Sequence, residues 1–175
     1  MFTLFHFCFD LFKIAIQAAV YSAILLALLF VLAKVIGNKR HKLNLFVQTY
    51  FVVAGLLLVF SFTYYGEHGL GDEAEIPLGQ WKQMKASDGY AYFDLNSSMQ
   101  IRVDSFLVRN HRLYMASEGR YYDYQLVSGR WMQFVNKKTY EDYAVMHQLP
   151  STIEFKPFWS QYDTYWNGWR FWFLP

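Results

Sequence analysis

Residues 14–33 read IAIQAAVYSAILLALLFVLA and residues 45–62 read LFVQTYFVVAGLLLVFSF, and these two stretches decide how the chain is built. The first is apolar apart from Gln17, Tyr21 and Ser22. At about 1.5 Å of rise per residue, a helix of this length matches a hydrocarbon core of about 30 Å. Lys13 and Lys34 stand at its two ends, where long side chains reach the interfaces. The second stretch is interrupted only by Gln48, Thr49 and Ser61, and is bracketed by Asn44 on one side and Thr63, Tyr64 and Tyr65 on the other. Both predict membrane-spanning helices, over residues 14–36 and 45–64, joined by a loop at 37–44 too short for anything but a turn between antiparallel helices.

Charge orients that hairpin. Over residues 1–65 five Lys/Arg (Lys13, Lys34, Lys39, Arg40, Lys42) face one acid, Asp10, while over residues 66–175 eleven face thirteen acids. Three of the five lie in the loop with Lys34 beside it, and the segment after the second span carries Glu67, Asp72, Glu73 and Glu75. The positive-inside rule then places the loop in the cytoplasm and both termini outside, which predicts a two-pass protein of a bacterial inner membrane. A near-neutral total of +2 with interleaved signs gives no basic face for a nucleic-acid polymer. A cleaved signal peptide fits poorly, because the apolar run is too long and no basic segment precedes it.

The first span carries Ala15, Ala19, Ala23 and Ala27 at a spacing of four, a small-residue face that lets another helix approach closely. Ala54 and Gly55 offer a matching patch on the second span, so the ladder predicts packing within the hairpin or a dock for another integral membrane protein, a second copy included. No Asp, Glu, Lys, Arg or His lies within the apolar stretches 14–33 and 45–62 to line a pore. Residues 1–13 read as an interfacial lead-in: Phe2, Phe5, Phe9 and Phe12 recur at helical spacing, and His6, Asp10, Lys13 and Gln17 mark a second face. His6 and Asp10 are too few for a metal site.

From residue 65 the texture changes. Four glycines, four acids and Pro77 between Gly66 and Gly79 predict a flexible neck over 65–79. Beyond it, Met99 to Asp104 alternates at period two, Tyr90 to Leu95 does so less cleanly, and Leu113 to Ala116 and Tyr121 to Val127 are rich in strand-favouring residues. Turn residues separate them, and Ser128-Gly129 joins two of these runs as a hairpin. The sequence thus predicts a β-rich α+β or all-β domain over 80–175, a small antiparallel barrel or curled sheet. One short helix is expected from Thr139 to Leu149, capped by Thr139 and stopped by Pro150. A single cysteine, Cys8, rules out an internal disulfide. Ten of the 21 residues from Phe155 to Pro175 are aromatic, among them Trp159, Trp166, Trp169 and Trp172, which predicts a final strand with core aromatics or a surface that contacts membrane lipid or a partner.

Chemistry is sparse. The five histidines show no metal-ligand spacing, and no phosphate loop, nucleophile elbow or Cys–His pair is present, so neither metal nor cofactor is expected. Glu118 to Asp123 and Tyr140 to Tyr143 set carboxylates beside aromatics, as glycan-cleaving sites do, but charge-rich turns and helix starts do so more often. In layout, a membrane hairpin followed by a β-rich domain opening with Gly79-Gln80-Trp81 resembles the membrane effectors of cyclic-oligonucleotide antiphage systems. That resemblance implies a nucleotide-sensing barrel in the cytoplasm and helices that disrupt the inner membrane. The charge pattern instead predicts an extracytoplasmic domain, and with it a non-enzymatic accessory subunit that meets its partners through the hairpin and the β-rich domain.

Overall fold

The computed structural model describes residues 2–36, 42–67, 69 and 73–175, with side chains for 4–31, 45–67, 69 and 73–175. The chain divides into two compact units, one formed by residues 1–67 with 168–175 and the other by residues 68–167. The helices are α1 (Phe2–Ile36), α2 (Lys42–Ser61), α3 (Lys137–His147), α4 (Phe158–Trp166) and α5 (Trp169–Phe173). The strands are β1 (Ala74–Gly79), β2 (Lys82–Ser87), β3 (Tyr90–Asn96), β4 (Met99–Val103), β5 (Ser105–Arg109), β6 (Arg112–Ser117), β7 (Arg120–Gln125) and β8 (Trp131–Phe134).

In the first unit α1 runs unbroken, so the expected lead-in and first span are one helix. Its stretch Leu4–Val31 is long and apolar enough to cross a membrane; the apolar part of α2, Leu45–Ser61, is shorter. Residues 37–41, with Lys39 and Arg40, lie outside the described residues, as do the side chains of Lys34 and Lys42. The buried residues of α1 are Ile14, Gln17, Ala18 and Ser22, a face set by the spacing 14, 18, 22.

The second unit holds two four-stranded antiparallel meanders, β1-β2-β3-β4 and β5-β6-β7-β8, and no barrel closes among the described residues. The reason lies at Asp104, between β4 and β5. Its N–H donates to Ala116 O at 2.8 Å and its Oδ2 accepts from the Glu118 N–H at 2.8 Å, so the chain leaves the first sheet and enters the second there. The sheets share a core in which Met84, Phe93 and Ile101 meet Phe106, Met115 and Tyr124. Phe93 stands edge-on to Tyr124 with ring centroids 4.9 Å apart, an arrangement that adds about 0.5–1.5 kcal/mol to the burial itself. The other face of the second sheet presents Leu107, Tyr114, Ala116, Tyr121 and Phe134, and α3 covers it with Tyr140, Tyr143 and Ala144.

Three sequence expectations need correction here. The neck is partly strand: Ala74, Ile76 and Leu78 enter the core, and Pro77 is tolerated because β1 lies at the sheet edge. The helix begins earlier than Thr139, since Asn136 is its cap and Thr139 supplies the reciprocal bond three positions on. The aromatic tail is helical. After a 3-10 turn at Thr152–Glu154 and a bridge between Phe106 and Lys156, it forms α4 and α5 and adds no strand to either sheet.

The two meanders are copies of one module, which the sequence pattern alone did not reveal. Positions in the first find their counterparts thirty residues later. Gln80-Trp81 and Asn110-His111 are two-residue turns with φ of 54° and 59° against 53° and 59°. Asp88-Gly89 and Glu118-Gly119 are again paired, at 52° and 82° against 49° and 78°. Both are the positive-φ hairpin turns that match strand twist. The registers agree as well: Lys85↔Tyr92, Ala86↔Ala91 and Ser87↔Tyr90 become Met115↔Tyr122, Ala116↔Tyr121 and Ser117↔Arg120. The first module differs by two bulges, between Pro77 and Gly79 and between Asp94 and Asn96, and the fourth strands stand one position out of step, Ala91↔Val103 against Tyr121↔Phe134.

Candidate membrane and partner interface

In the first unit, α1 leaves large apolar side chains uncovered along its length: Phe5 is 71% exposed, Phe12 66%, Leu28 59% and Val31 63%. Water is a poor solvent for such a helix, and lipid or an apolar partner a good one.

The alanine ladder is displaced from the packed face by one position, about 100° around the helix. Ala15 and Ala19 are half-buried, whereas Ala23, Ala27 and Gly55 are exposed. A Cβ added at Gly55 would meet nothing within 4 Å. Ala23, Ala27 and Gly55 therefore leave their part of the small-residue surface open, while Ala15, Ala19 and Ala54 are partly covered.

The packed face is used by the chain's own tail. The last carbonyls of a helix have no partner within it, and in apolar surroundings they need one from elsewhere. Gln17 Nε2 donates to Trp172 O at 3.0 Å and to Leu174 O at 2.9 Å, and the Tyr21 hydroxyl donates to Phe173 O at 2.7 Å. Lys13 Nζ stands 4.9 Å from the centre of the Phe171 ring, a cation–π contact. Gln17 and Tyr21, which interrupt an apolar run in the sequence, are thus the groups that hold α5. Their spacing of four on one helix face is the signal that could have marked them, but nothing local names their partner.

The four tryptophans separate. Trp169 and Trp172 on α5 are exposed, as is Trp159 on α4. Trp166 is buried and its Nε1–H donates to Glu75 O at 2.8 Å, so it is a core residue of the second unit and does not present its ring to a partner.

The carboxylates singled out for catalysis do not converge. Glu118 is exposed in the β6–β7 turn, whereas Asp123 is the fourth residue of β7 and is buried. Glu141 accepts from Ser151 Oγ at 3.0 Å, from the Thr152 N–H at 2.9 Å and from the Thr152 hydroxyl. Burial pulls its carboxyl up, but those bonds and Lys137 hold it below its ordinary value, as suits a structural cap. Among the described residues no three His, Cys, Asp or Glu side chains gather as a metal site. Gly79-Gln80-Trp81 leads into a second-strand hairpin, the β1–β2 turn. No protein-family model, curated protein or solved structure matches the chain.

Proposed function

We propose that the chain is a non-enzymatic, membrane-anchored accessory subunit of a bacterial inner-membrane complex. The observation that carries this reading is the apolar surface of α1, left uncovered over a length that suits a bilayer. Lipid covers most of it, and the open stretch around Ala23 and Ala27 receives an integral membrane partner or a second copy. The basic loop stays in the cytoplasm, so the second unit lies outside. Because α2 returns the chain to the side from which α1 starts, the tail can reach the half of α1 that carries Lys13, Gln17 and Tyr21. Trp169 and Trp172 then sit at the outer interface, where amphipathic rings gather.

Topology is the deciding test. Ser98 is exposed in the β3–β4 turn, and Ser98→Cys in a Cys8→Ser background presents one thiol. A membrane-impermeant thiol reagent applied to intact spheroplasts should label it. Protection of that thiol overturns the reading and favours the nucleotide-gated effector, whose sensor must face the cytoplasm. Extraction in mild detergent should also recover a stoichiometric partner or a homo-oligomer; a clean monomer argues against the subunit role.

A further inference from the structure

We propose that Asp123 is a proton-sensitive latch beneath α3, set into a core position that the first module fills with a phenylalanine. Thirty residues before Asp123 stands Phe93, a core residue against Tyr124. The neighbours change in step: Met84 becomes Tyr114 and Lys82 becomes Arg112. One module thus packs an aromatic ring where the other, at the same register, buries a carboxylate.

That carboxylate is 3% exposed. Its Oδ2 lies 3.3 Å from Arg112 Nη2, and its Oδ1 accepts no hydrogen bond. The surrounding groups do not complete it. On β6, Tyr114 stands directly opposite; on β8 the opposite residue is Met132, which carries no charge. On β5, Arg109 is bound to Glu154 of the 3-10 turn at 2.5 Å. On α3 the Tyr140 hydroxyl donates to Pro150 O at 2.8 Å, and Glu141 is held by Ser151 and Thr152. One guanidinium, itself partly exposed, is the whole compensation, and a buried ion so served weakens a fold relative to an apolar residue. The residue's contribution is therefore sought in its ionisation.

Burial raises the Asp123 carboxyl above its ordinary value, and Arg112 draws it only part of the way back. A folded state that holds the proton more tightly than the open one is favoured at low pH. Closure of α3 over this position is firmest with Asp123 protonated and loosens as pH rises through the raised value. Lifting α3 uncovers Leu107, Tyr114, Ala116, Tyr121 and Phe134, an apolar and aromatic face.

The test is amide hydrogen exchange on the full chain in detergent micelles, corrected for intrinsic exchange rates, at pH 5 and pH 7.5. The α3 amides should lose protection at the higher pH, by about tenfold for each unit by which the carboxyl of the closed state lies above pH 5, while β2 and β3 hold theirs. Asp123→Asn should abolish the dependence and leave α3 uniformly protected. Asp123→Phe, which restores the residue of the first module, should do the same. His147 and Asp142 also lie on α3, and a dependence that survives both substitutions has its origin outside Asp123 and overturns the proposal. A wild-type α3 indifferent to pH, or one that opens only together with β2 and β3, overturns it as well, and these two outcomes need no variant to fold.

Discussion

Replacing Gln17 by Leu isolates the contact that joins the tail to α1. The substitution keeps side-chain volume and raises the apolarity of the span, so insertion is not impaired, but it deletes both bonds to Trp172 O and Leu174 O. A net hydrogen bond is worth about 1 kcal/mol in water-soluble proteins and averages about 0.6 kcal/mol between membrane helices, and the carbonyls left behind lose their donor. Gln17 Oε1 is itself buried without a donor, and its removal trims the loss. The net cost is about 1–2 kcal/mol, a factor of about 5–30 in the ratio of docked to undocked tail. Fluorine NMR of the full chain labelled with 5-fluorotryptophan in lipid nanodiscs reports this directly, with Trp172→Phe assigning the resonance. Gln17→Leu should bring up a second Trp172 population, and Tyr21→Phe, which removes one bond, a smaller one. An unchanged Trp172 resonance in both variants would refute the idea that these two polar groups hold the tail.

Three further outcomes follow from the second unit. Trp166→Phe removes the buried donor to Glu75 O and should destabilise the unit by about 1–3 kcal/mol, read as a fall in its thermal midpoint. Glu141→Gln should lose a pH-dependent share of stability. The native carboxyl lies below its ordinary value, so its contribution is present above pH 4.5 and fades as pH falls through the lowered value, a slope that thermal unfolding across pH should show in wild type and miss in the variant. Gly89→Ala and Gly119→Ala each force a methyl into a positive-φ turn with no neighbour within 4 Å of the new carbon. Each should cost about 1–2 kcal/mol from backbone conformation alone, and comparable losses in denaturant titrations would support the equivalence of the two turns.

What the sequence discloses depends on whether a residue's partner is local. The apolar runs are legible because their length and composition need no context, and β3, β4, β6, β7 and β8 are legible from alternation and turn residues. β1 is hidden by Pro77 and two neighbouring acids. β2 offers only Met84 and Ala86 to the core between lysines. β5, Ser105 to Arg109, fails to alternate because its sheet is covered on both faces, Phe106 meeting one core and Leu107 the other. The tail's aromatics suggested a strand because bulky rings favour pleated surfaces, but its buried positions, Phe158 and Trp166, sit at helical spacing. In α1 the alanines mark where a neighbour could come close, whereas the packed face is chosen by a tail more than 150 residues away in the chain.

The spacing of the repeat explains why the second unit needs α3 at all. Thirty is an even number, so counterpart residues keep the same side of the pleat. Had the modules packed as a two-fold sandwich, equivalent faces would meet. Instead Met84, Ala86, Ala91 and Phe93 face the second sheet, while their counterparts Tyr114, Ala116, Tyr121 and Asp123 point away from the first. The face that answers them, with Met115 and Tyr124, is the counterpart of one that in the first module is polar and open, with Lys85, Asp94 and Arg102 exposed. The modules are thus stacked by translation, and a stack has ends. One end is made soluble by charge; the other presents an apolar sheet face that only an added element can cover, and α3 lies where a third sheet would have come. A cover attached by a short linker is easier to lift than a strand within a ladder, and Asp123 occupies the one layer of the stack where such a movement leaves both sheets intact.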